Sequence, residues 1–187
     1  REFCDRYGKL PILEPSNDFH AYTSGLDLQC LLRLCDGRGD VIEFGTARGQ
    51  TTLVIARHLS YSRVVTLDVD KDLVEPGAYQ ACDLRPKNEV GEYFHDTPEA
   101  ERITQVFVHP SGPHDTATLC RLGEFGAAFI DSLHTYTGVA RDTSAAVSLL
   151  TKRGRGVLIW DDAKYKSGVP ILLAQIDKAM PGRLENL

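Results

Sequence analysis

A glycine-containing segment near the start of the chain constrains the fold more than any other feature. It reads Val41-Ile-Glu-Phe-Gly-Thr-Ala-Arg-Gly-Gln-Thr-Thr52, in which a glycine comes two residues after an acid and a second glycine four residues later. Residues 51–59 then have the pattern of a helix. The segment predicts a strand, a tight turn and a helix N-terminus, the arrangement with which a parallel α/β sheet holds a nucleotide-like ligand. Glycine permits close backbone approach, and the free N–H groups of the helix start attract a carboxylate or phosphate.

The spacing of Gly45 and Gly49 separates this turn from two common phosphate-binding turns. A dinucleotide fold requires G-x-G-x-x-G, and a phosphate loop requires G-x-x-x-x-G-K-[ST]. This chain has E-x-G-x-x-x-G, and no lysine follows the second glycine. A structural turn without a ligand is the alternative interpretation of this segment alone.

Short apolar runs alternate with helical patterns along the rest of the chain. Four runs bounded by polar residues or glycine predict buried strands at Val64–Leu67, Ile103–Val108, Ala127–Ile130 and Val157–Trp160. Helices are predicted from Ser24 to about Leu34 and at Thr51–Leu59, Thr137–Leu150 and Val169–Met180. The alternation predicts an α/β fold with a doubly wound, mostly parallel sheet and right-handed crossovers.

Length, charge and cysteine content restrict the function classes. The 187 residues predict a single domain, 1–187, with a lead-in and helix at 1–37 and a long insertion at 71–102 that is either a lid or a surface loop. A net charge of −5 argues against a nucleic-acid partner. No apolar stretch is long enough to span a membrane, so we expect no membrane partner. The scattered cysteines predict free thiols in a reducing, cytoplasmic compartment. They are Cys4, Cys30, Cys35, Cys82 and Cys120.

Two places after the second and third strands are candidates for contacts with a nucleoside. Asp68 follows the second strand about twenty residues after the glycine turn, where an acid can accept hydrogen bonds from ribose hydroxyls. The alternative is a solvated acid at a strand end. Ser111 and Gly112 follow the third strand and are weaker candidates for contacts with an adenine ring, because Pro-Ser-Gly is also an ordinary turn sequence.

Three acids follow the fourth and fifth predicted strands, namely Asp131, Asp161 and Asp162. Ligands bind beyond the carboxyl ends of such strands, so we expect the acids to converge. Clustered carboxylates repel each other unless a cation or proton intervenes, and an all-oxygen set suits Mg²⁺. His134 is close enough in sequence to act there as a general base. The alternatives are that Asp162 caps the next segment and that His134 is a structural loop residue.

Four segments, EFGTARGQTT, VVTLD, IDSLHTYTGV and IWDD, resemble those of the metal-dependent small-molecule O-methyltransferases. These belong to the class I S-adenosylmethionine-dependent methyltransferases and include catechol-type and macrolide- or sugar-modifying enzymes. The resemblance extends over roughly residues 22–180. It implies a Rossmann-like methyltransferase fold, S-adenosylmethionine as methyl donor, Mg²⁺ or another divalent cation, and a small hydroxylated substrate.

The resemblance also implies roles for individual residues. His134 takes the place of the family's general base, and Asp131, Asp161 and Asp162 take the places of its metal ligands. The implied cofactor-binding residues lie in the glycine turn and after the second, third and fourth strands. They are Glu43, Gly45, Thr46, Ala47, Gly49, Thr51, Asp68, Ser111, Gly112 and Asp131.

The chain departs from the family at two places. Many relatives have Asn or an aromatic residue in place of Asp162. Only Arg183–Leu187 follow the last helix, so we expect the family's C-terminal strand hairpin to be missing or truncated. The resulting open edge makes a homodimer an option.

Two other functions are alternatives. One is a non-catalytic S-adenosylmethionine-binding domain, or pseudo-enzyme, of a larger protein. The other is a nucleic-acid or protein N-methyltransferase. Such enzymes commonly carry [DN]-P-P-[YFW] where this chain has Asp-Ser-Leu-His.

Overall fold

Five parallel strands form the central sheet. The computed structural model describes residues 25–74, 84–109, 116–151, 156–164 and 168–184. The strands lie in the order β3-β2-β1-β4-β5, and every neighbouring pair is parallel. In chain order they are β1 (Val41–Phe44), β2 (Val64–Val69), β3 (Ile103–Val108), β4 (Ala127–Ile130) and β5 (Val157–Trp160).

Helices connect the strands. In the described part of the chain they are α1 (Gly25–Cys35), α2 (Gln50–His58), α3 (Glu92–His95), α4 (Thr116–Cys120), α5 (Tyr136–Leu149) and α6 (Gly168–Ala179). Short 3-10 turns lie at Lys71–Leu73 and Pro98–Arg102. None of the described helices combines the length and the apolar character that crossing a membrane requires.

The strands are apolar on both faces because helices cover both sides of the sheet. On one face Ile42, Phe44 and their neighbours in β2 and β4 pack with residues of α5 and α6. On the other face Val41 and Val64 pack with residues of α1 and α2. Adjacent residues of one strand therefore enter different cores, as the period of two requires. The prediction of a doubly wound α/β sheet is confirmed.

The strand order reverses between β1 and β4, and this point positions the site. The chain builds β1, β2 and β3 on one side and then returns to place β4 and β5 on the other. Phe44 pairs with Ile130 and Ile130 with Trp160, so the three strands end level with one another. The segments after them meet at the crevice where parallel α/β sheets bind ligands.

One predicted boundary was wrong. β2 continues to Val69, and Asp68 lies inside it, paired with Phe107 of β3. The sequence prediction gave Val64–Leu67 for this strand because Asp68 interrupts the apolar run. Backbone pairing with β3 extends the strand past that acid.

Candidate functional site

Gly45 joins the glycine turn directly to the end of β4. Its N–H donates to the carbonyl of Leu67, and its φ of 106° lies in the left-handed region. A Cβ at this position would lie 1.9 Å from the carbonyl oxygen of Asp131. Only glycine fits so close to another backbone, so the turn and the first residue after β4 form one continuous surface.

Asp68 holds the glycine turn from the side of β2. One carboxylate oxygen, Oδ2, accepts the N–H of Ala47 at 2.8 Å, and Oδ1 accepts the N–H of Val69 at 2.6 Å. Ala47 has a φ of 46°, which is unusual for a residue with a Cβ, and this bond helps to fix it. Burial raises the pKa of Asp68, while the backbone N–H groups oppose that rise.

Glu43 lies beneath the turn rather than on its surface, with 1% of its area exposed. Its Oε2 accepts hydrogen bonds from the hydroxyls of Thr52 and Thr66, the latter at 2.6 Å. The Thr66 hydroxyl is also 2.7 Å from that of Thr46. Burial raises the pKa of Glu43 to about 8, so the neutral acid predominates at neutral pH. Its contacts identify a support for the turn, and a direct ligand contact stays a prediction.

The helix α2 begins at a glycine. Gly49 occupies the N-cap position with a φ of 85°, and it has no side chain with which to cap the helix. Thr51 lies in the first turn of this helix. The first N–H groups of a helix have no partner within the helix, and the helix dipole favours a carboxylate near them, so a contact with the methionine end of the donor stays a prediction here.

Part of the predicted insertion packs on the glycine turn. The N–H of Gly91 donates to the carbonyl of Ala47 at 2.9 Å, and the N–H of Tyr93 donates to that of Arg48 at 3.0 Å. Arg48 also forms an ion pair with Glu92. These backbone contacts could not be predicted from the sequence. Almost any residue type can form a backbone hydrogen bond, so the identity of a residue does not reveal that it supports the turn in this way.

His134 lies between two of the predicted acids. Its Nε2 is 3.5 Å from Oδ1 of Asp131 and 3.3 Å from Oδ2 of Asp162. These are ion-pair distances, and within the described residues this buried nitrogen has no hydrogen bond of good geometry. The structure thus brings together His134, Asp131 and Asp162.

Mutual repulsion and burial dominate the electrostatics of this cluster. Burial, followed by the Asp131 carboxylate, raises the pKa of Asp161 to about 6. Burial also raises the pKa of Asp162, against the opposing effect of His134. The Asp131 carboxylate raises the pKa of His134, so this ring holds a proton more tightly than a free histidine. Asp162 has a φ of 54°, and such backbone strain is typical of functional sites.

The acids of this cluster are the ones predicted to bind a divalent cation. The predicted ligands are all oxygen atoms, which suits a hard cation such as Mg²⁺. A nearby positive charge would lower the raised pKa values of the carboxyl groups. However, among the described residues no group of three or more His, Cys, Asp or Glu side chains is arranged to hold a metal ion. The chemistry of the residues fits a cation, and ligation by Asp131, Asp161 and Asp162 stays a prediction.

The backbone of His134 is fixed by the two following helices. Its carbonyl accepts the N–H of Gly168 at 2.6 Å, and the Thr135 hydroxyl caps α5 by accepting the N–H of Gly138 at 3.2 Å. A Cβ on Gly168 would lie 1.9 Å from the backbone nitrogen of Tyr136, so glycine is required there. The predicted adenine contacts, Ser111 and Gly112, lie outside the described residues.

A family model described as a methyltransferase domain matches residues 42–163, which run from β1 to just beyond β5. The chain belongs to this methyltransferase family. The matched region contains the glycine turn, Asp68, His134 and the acids after β4 and β5. The prediction of a methyltransferase is confirmed.

Solved structures with a similar fold include other methyltransferases. Cofactor-bound Rv0187 from MTB is 23% identical, with 97% of this chain and 76% of that one aligned at a TM-score of 0.58. An O-methyltransferase from Bacillus cereus in complex with SAH is 18% identical (91% and 83% aligned, TM-score 0.55). The O-methyltransferase TomG from Streptomyces achromogenes, in complex with SAM, is 17% identical (87% and 71% aligned, TM-score 0.53). At these identities the similarity establishes the fold. No curated protein significantly matches the chain.

Proposed function

We propose that this methyltransferase uses S-adenosylmethionine to methylate a hydroxyl oxygen of a small molecule. The position of His134 between Asp131 and Asp162, beside the glycine turn, carries the proposal, because an imidazole there would accept a proton from a hydroxyl. Gly45 contacts the Asp131 backbone, so a donor at the turn would be adjacent to this histidine. Two fold relatives are described as O-methyltransferases with SAH or SAM bound, which supports the choice of donor and acceptor atom.

Two groups beside the glycine turn would bind the methyl donor. The N-terminus of α2 would attract the methionine carboxylate through the helix dipole. Asp68 would accept hydrogen bonds from ribose hydroxyls, since each carboxylate oxygen has lone pairs beyond the one that accepts a backbone N–H. S-adenosylmethionine, when bound, supplies a methyl group on a positively charged sulfur.

The imidazole of His134 would accept the hydroxyl proton of the second substrate. The substrate oxygen would then form its bond to the methyl carbon while the bond from carbon to sulfur breaks, which leaves S-adenosylhomocysteine. Asp131 and Asp162 would stabilise the resulting imidazolium, because each lies within ion-pair distance of Nε2. Mg²⁺, when bound by Asp131, Asp161 and Asp162, supplies positive charge that acidifies a nearby hydroxyl.

The proposal extends to the partners and the cellular compartment of the protein. We infer a small hydroxylated partner and no nucleic-acid or membrane partner, in a cytoplasmic compartment. Among the described cysteines Cys30, Cys35 and Cys120 are free, which is compatible with reducing conditions. A homodimer through the edge of β5 stays an option that sedimentation can test.

Calorimetry and a transfer assay test the function separately. Titration with S-adenosylhomocysteine, with and without Mg²⁺, measures binding, and production of methylated catechol measures transfer. We expect binding by the wild type, and a loss of about 100-fold or more in transfer for His134→Gln. His95→Gln is the matched control, because His95 is exposed and contacts Gln105 away from the cluster.

Each alternative has its own outcome. Failure to bind at millimolar concentration would overturn the proposal. Binding without transfer to catechol or related alcohols would favour the non-catalytic domain. Strong gel-shift binding of DNA or RNA that weakens steeply with salt would favour the nucleic-acid methyltransferase.

A further inference from the structure

Helix α5 contacts both strand ends that carry the acidic cluster. Two adjacent residues of this helix, Asp142 and Thr143, are buried although both are polar. One bonds to the segment after β4 and the other to the last residue of β5. The mechanism above assigns a role to neither residue.

The contact with β4 involves a buried carboxylate. Asp142 is 1% exposed and accepts a hydrogen bond from the Ser132 hydroxyl. Its other oxygen accepts from Nε of Arg141 at 2.9 Å. Ser132 directly follows Asp131, so this bond restrains the backbone between Asp131 and His134. A buried carboxylate with charged and neutral donors is costly to displace, which makes it a rigid anchor.

The contact with β5 involves the indole of Trp160. Its Nε1 donates to the Thr143 hydroxyl at 2.9 Å. Trp160 directly precedes Asp161 and pairs in register with Ile130, the residue before Asp131. The contact of α5 with Trp160 is therefore level with the last residue of β4, and its contact with Ser132 lies two residues further along.

The helix itself is held firmly against the sheet. Val139, Ala146 and Leu149 are each at most 2% exposed and belong to the core on this face. The Thr135 hydroxyl caps the first turn. A displacement of Asp142 or Thr143 would therefore require movement of the packed helix, which close packing opposes.

We propose that Asp142 and Thr143 are positioning residues that fix the ends of β4 and β5 against α5, and so the placement of His134 and Asp131 relative to Asp161. This inference rests on the proposed methyl transfer for its effect on rate. The geometric part stands on the contacts alone. The simpler interpretation is that these two hydrogen bonds only satisfy buried polar groups and have no effect on the site. The test must distinguish that interpretation from positioning.

Removal of each hydroxyl, with a conservative partner variant, tests the proposal. Ser132→Ala and Thr143→Val delete the two bonds, whereas Ser132→Thr and Thr143→Ser retain a hydroxyl. Ser144→Ala is the matched control, because Ser144 is the exposed neighbour on the same helix. All variants are measured as the full chain, with catechol as acceptor and S-adenosylhomocysteine as ligand.

Positioning predicts a specific pattern. The two deletions should each lower kcat by about 10-fold or more, with affinity for S-adenosylhomocysteine within about twofold of wild type. Ser132→Thr and Thr143→Ser should retain most of the wild-type rate. Amide exchange at residues 132–135 should become about 10-fold faster in Ser132→Ala, with α2 unchanged. Trp160 is the only tryptophan, so its single indole N–H signal should likewise exchange faster in Thr143→Val.

The outcomes separate this inference from the proposed function. Wild-type kcat in both deletion variants would overturn the inference, even where local exchange becomes faster, because the contacts would then be only structural. A wild type that binds S-adenosylhomocysteine but methylates no alcohol would count against the proposed function. In that case unchanged exchange in the variants would overturn the geometric claim, and faster exchange confined to the two strand ends would support it.

Discussion

Glu43 allows a quantitative prediction, because its carboxyl is buried and its hydrogen-bond donors among the described residues are neutral. Its partners are the hydroxyls of Thr52 and Thr66. Burial raises the pKa from the ordinary value of 4.5 to about 8 in the folded protein. Between pH 4.5 and about pH 8, Glu43 is therefore mostly protonated in the folded protein and mostly ionised in the unfolded chain.

The sign of the effect follows from proton binding. Between pH 4.5 and about pH 8 the folded protein binds more protons at Glu43 than the unfolded chain, so stability falls as the pH rises through this window. A separation of 3.5 pKa units, which is 8 minus 4.5, corresponds to about 5 kcal/mol across the whole window. From pH 5 to pH 8 we expect this residue alone to contribute a loss of roughly 3 kcal/mol.

Glu43→Gln should remove this dependence, because the amide has the shape of the neutral acid and does not ionise. The assay is urea unfolding of both proteins at several pH values, with the free energy difference between them plotted against pH. The variant should gain stability over the wild type as the pH rises. Glu101→Gln is the control at an exposed position. If the Glu43→Gln and wild-type curves run parallel from pH 5 to pH 8, the neutral buried acid is refuted.

Three further predictions concern the site. Asp68→Asn should weaken binding of S-adenosylhomocysteine about 30-fold, since a hydrogen bond to a charged group contributes about 2 kcal/mol; calorimetry with unchanged affinity would contradict the ribose role. Gly168→Ala should lower the free energy of unfolding by about 3 kcal/mol, because its Cβ would lie 1.9 Å from Tyr136 N; an unchanged urea midpoint would contradict the tight contact. Removal of divalent cations with EDTA should lower methyl transfer to catechol by about 10-fold or more and Mg²⁺ should restore it; full activity in EDTA would indicate a metal-free enzyme.

The fold could be predicted because its determinants are local and repetitive. Mostly apolar runs of four to six residues coincide with β1, β3, β4 and β5, since burial on both faces favours apolar side chains in such strands. Gly45 marked the turn because no other residue fits against Asp131. The end of β2 was misplaced before Asp68, where pairing with β3 prevails over the local preference of an acid.

The site could be predicted only in part. The convergence of Asp131, His134 and Asp162 followed from the topology, because parallel strands end at one edge of the sheet. The supports of these residues were missed. The bonds from Thr66 to Glu43 and from Trp160 to Thr143 join segments distant in sequence, and nothing in a threonine or tryptophan alone identifies its partner.

A crystal structure of the chain with S-adenosylhomocysteine and Mg²⁺ tests the central claim most directly. We predict the homocysteine carboxylate at the start of α2, the ribose on Asp68, and the sulfur facing His134, with the ion held by the acids after β4 and β5. Binding of the nucleoside elsewhere, or a sulfur turned away from His134, would contradict methyl transfer at this crevice.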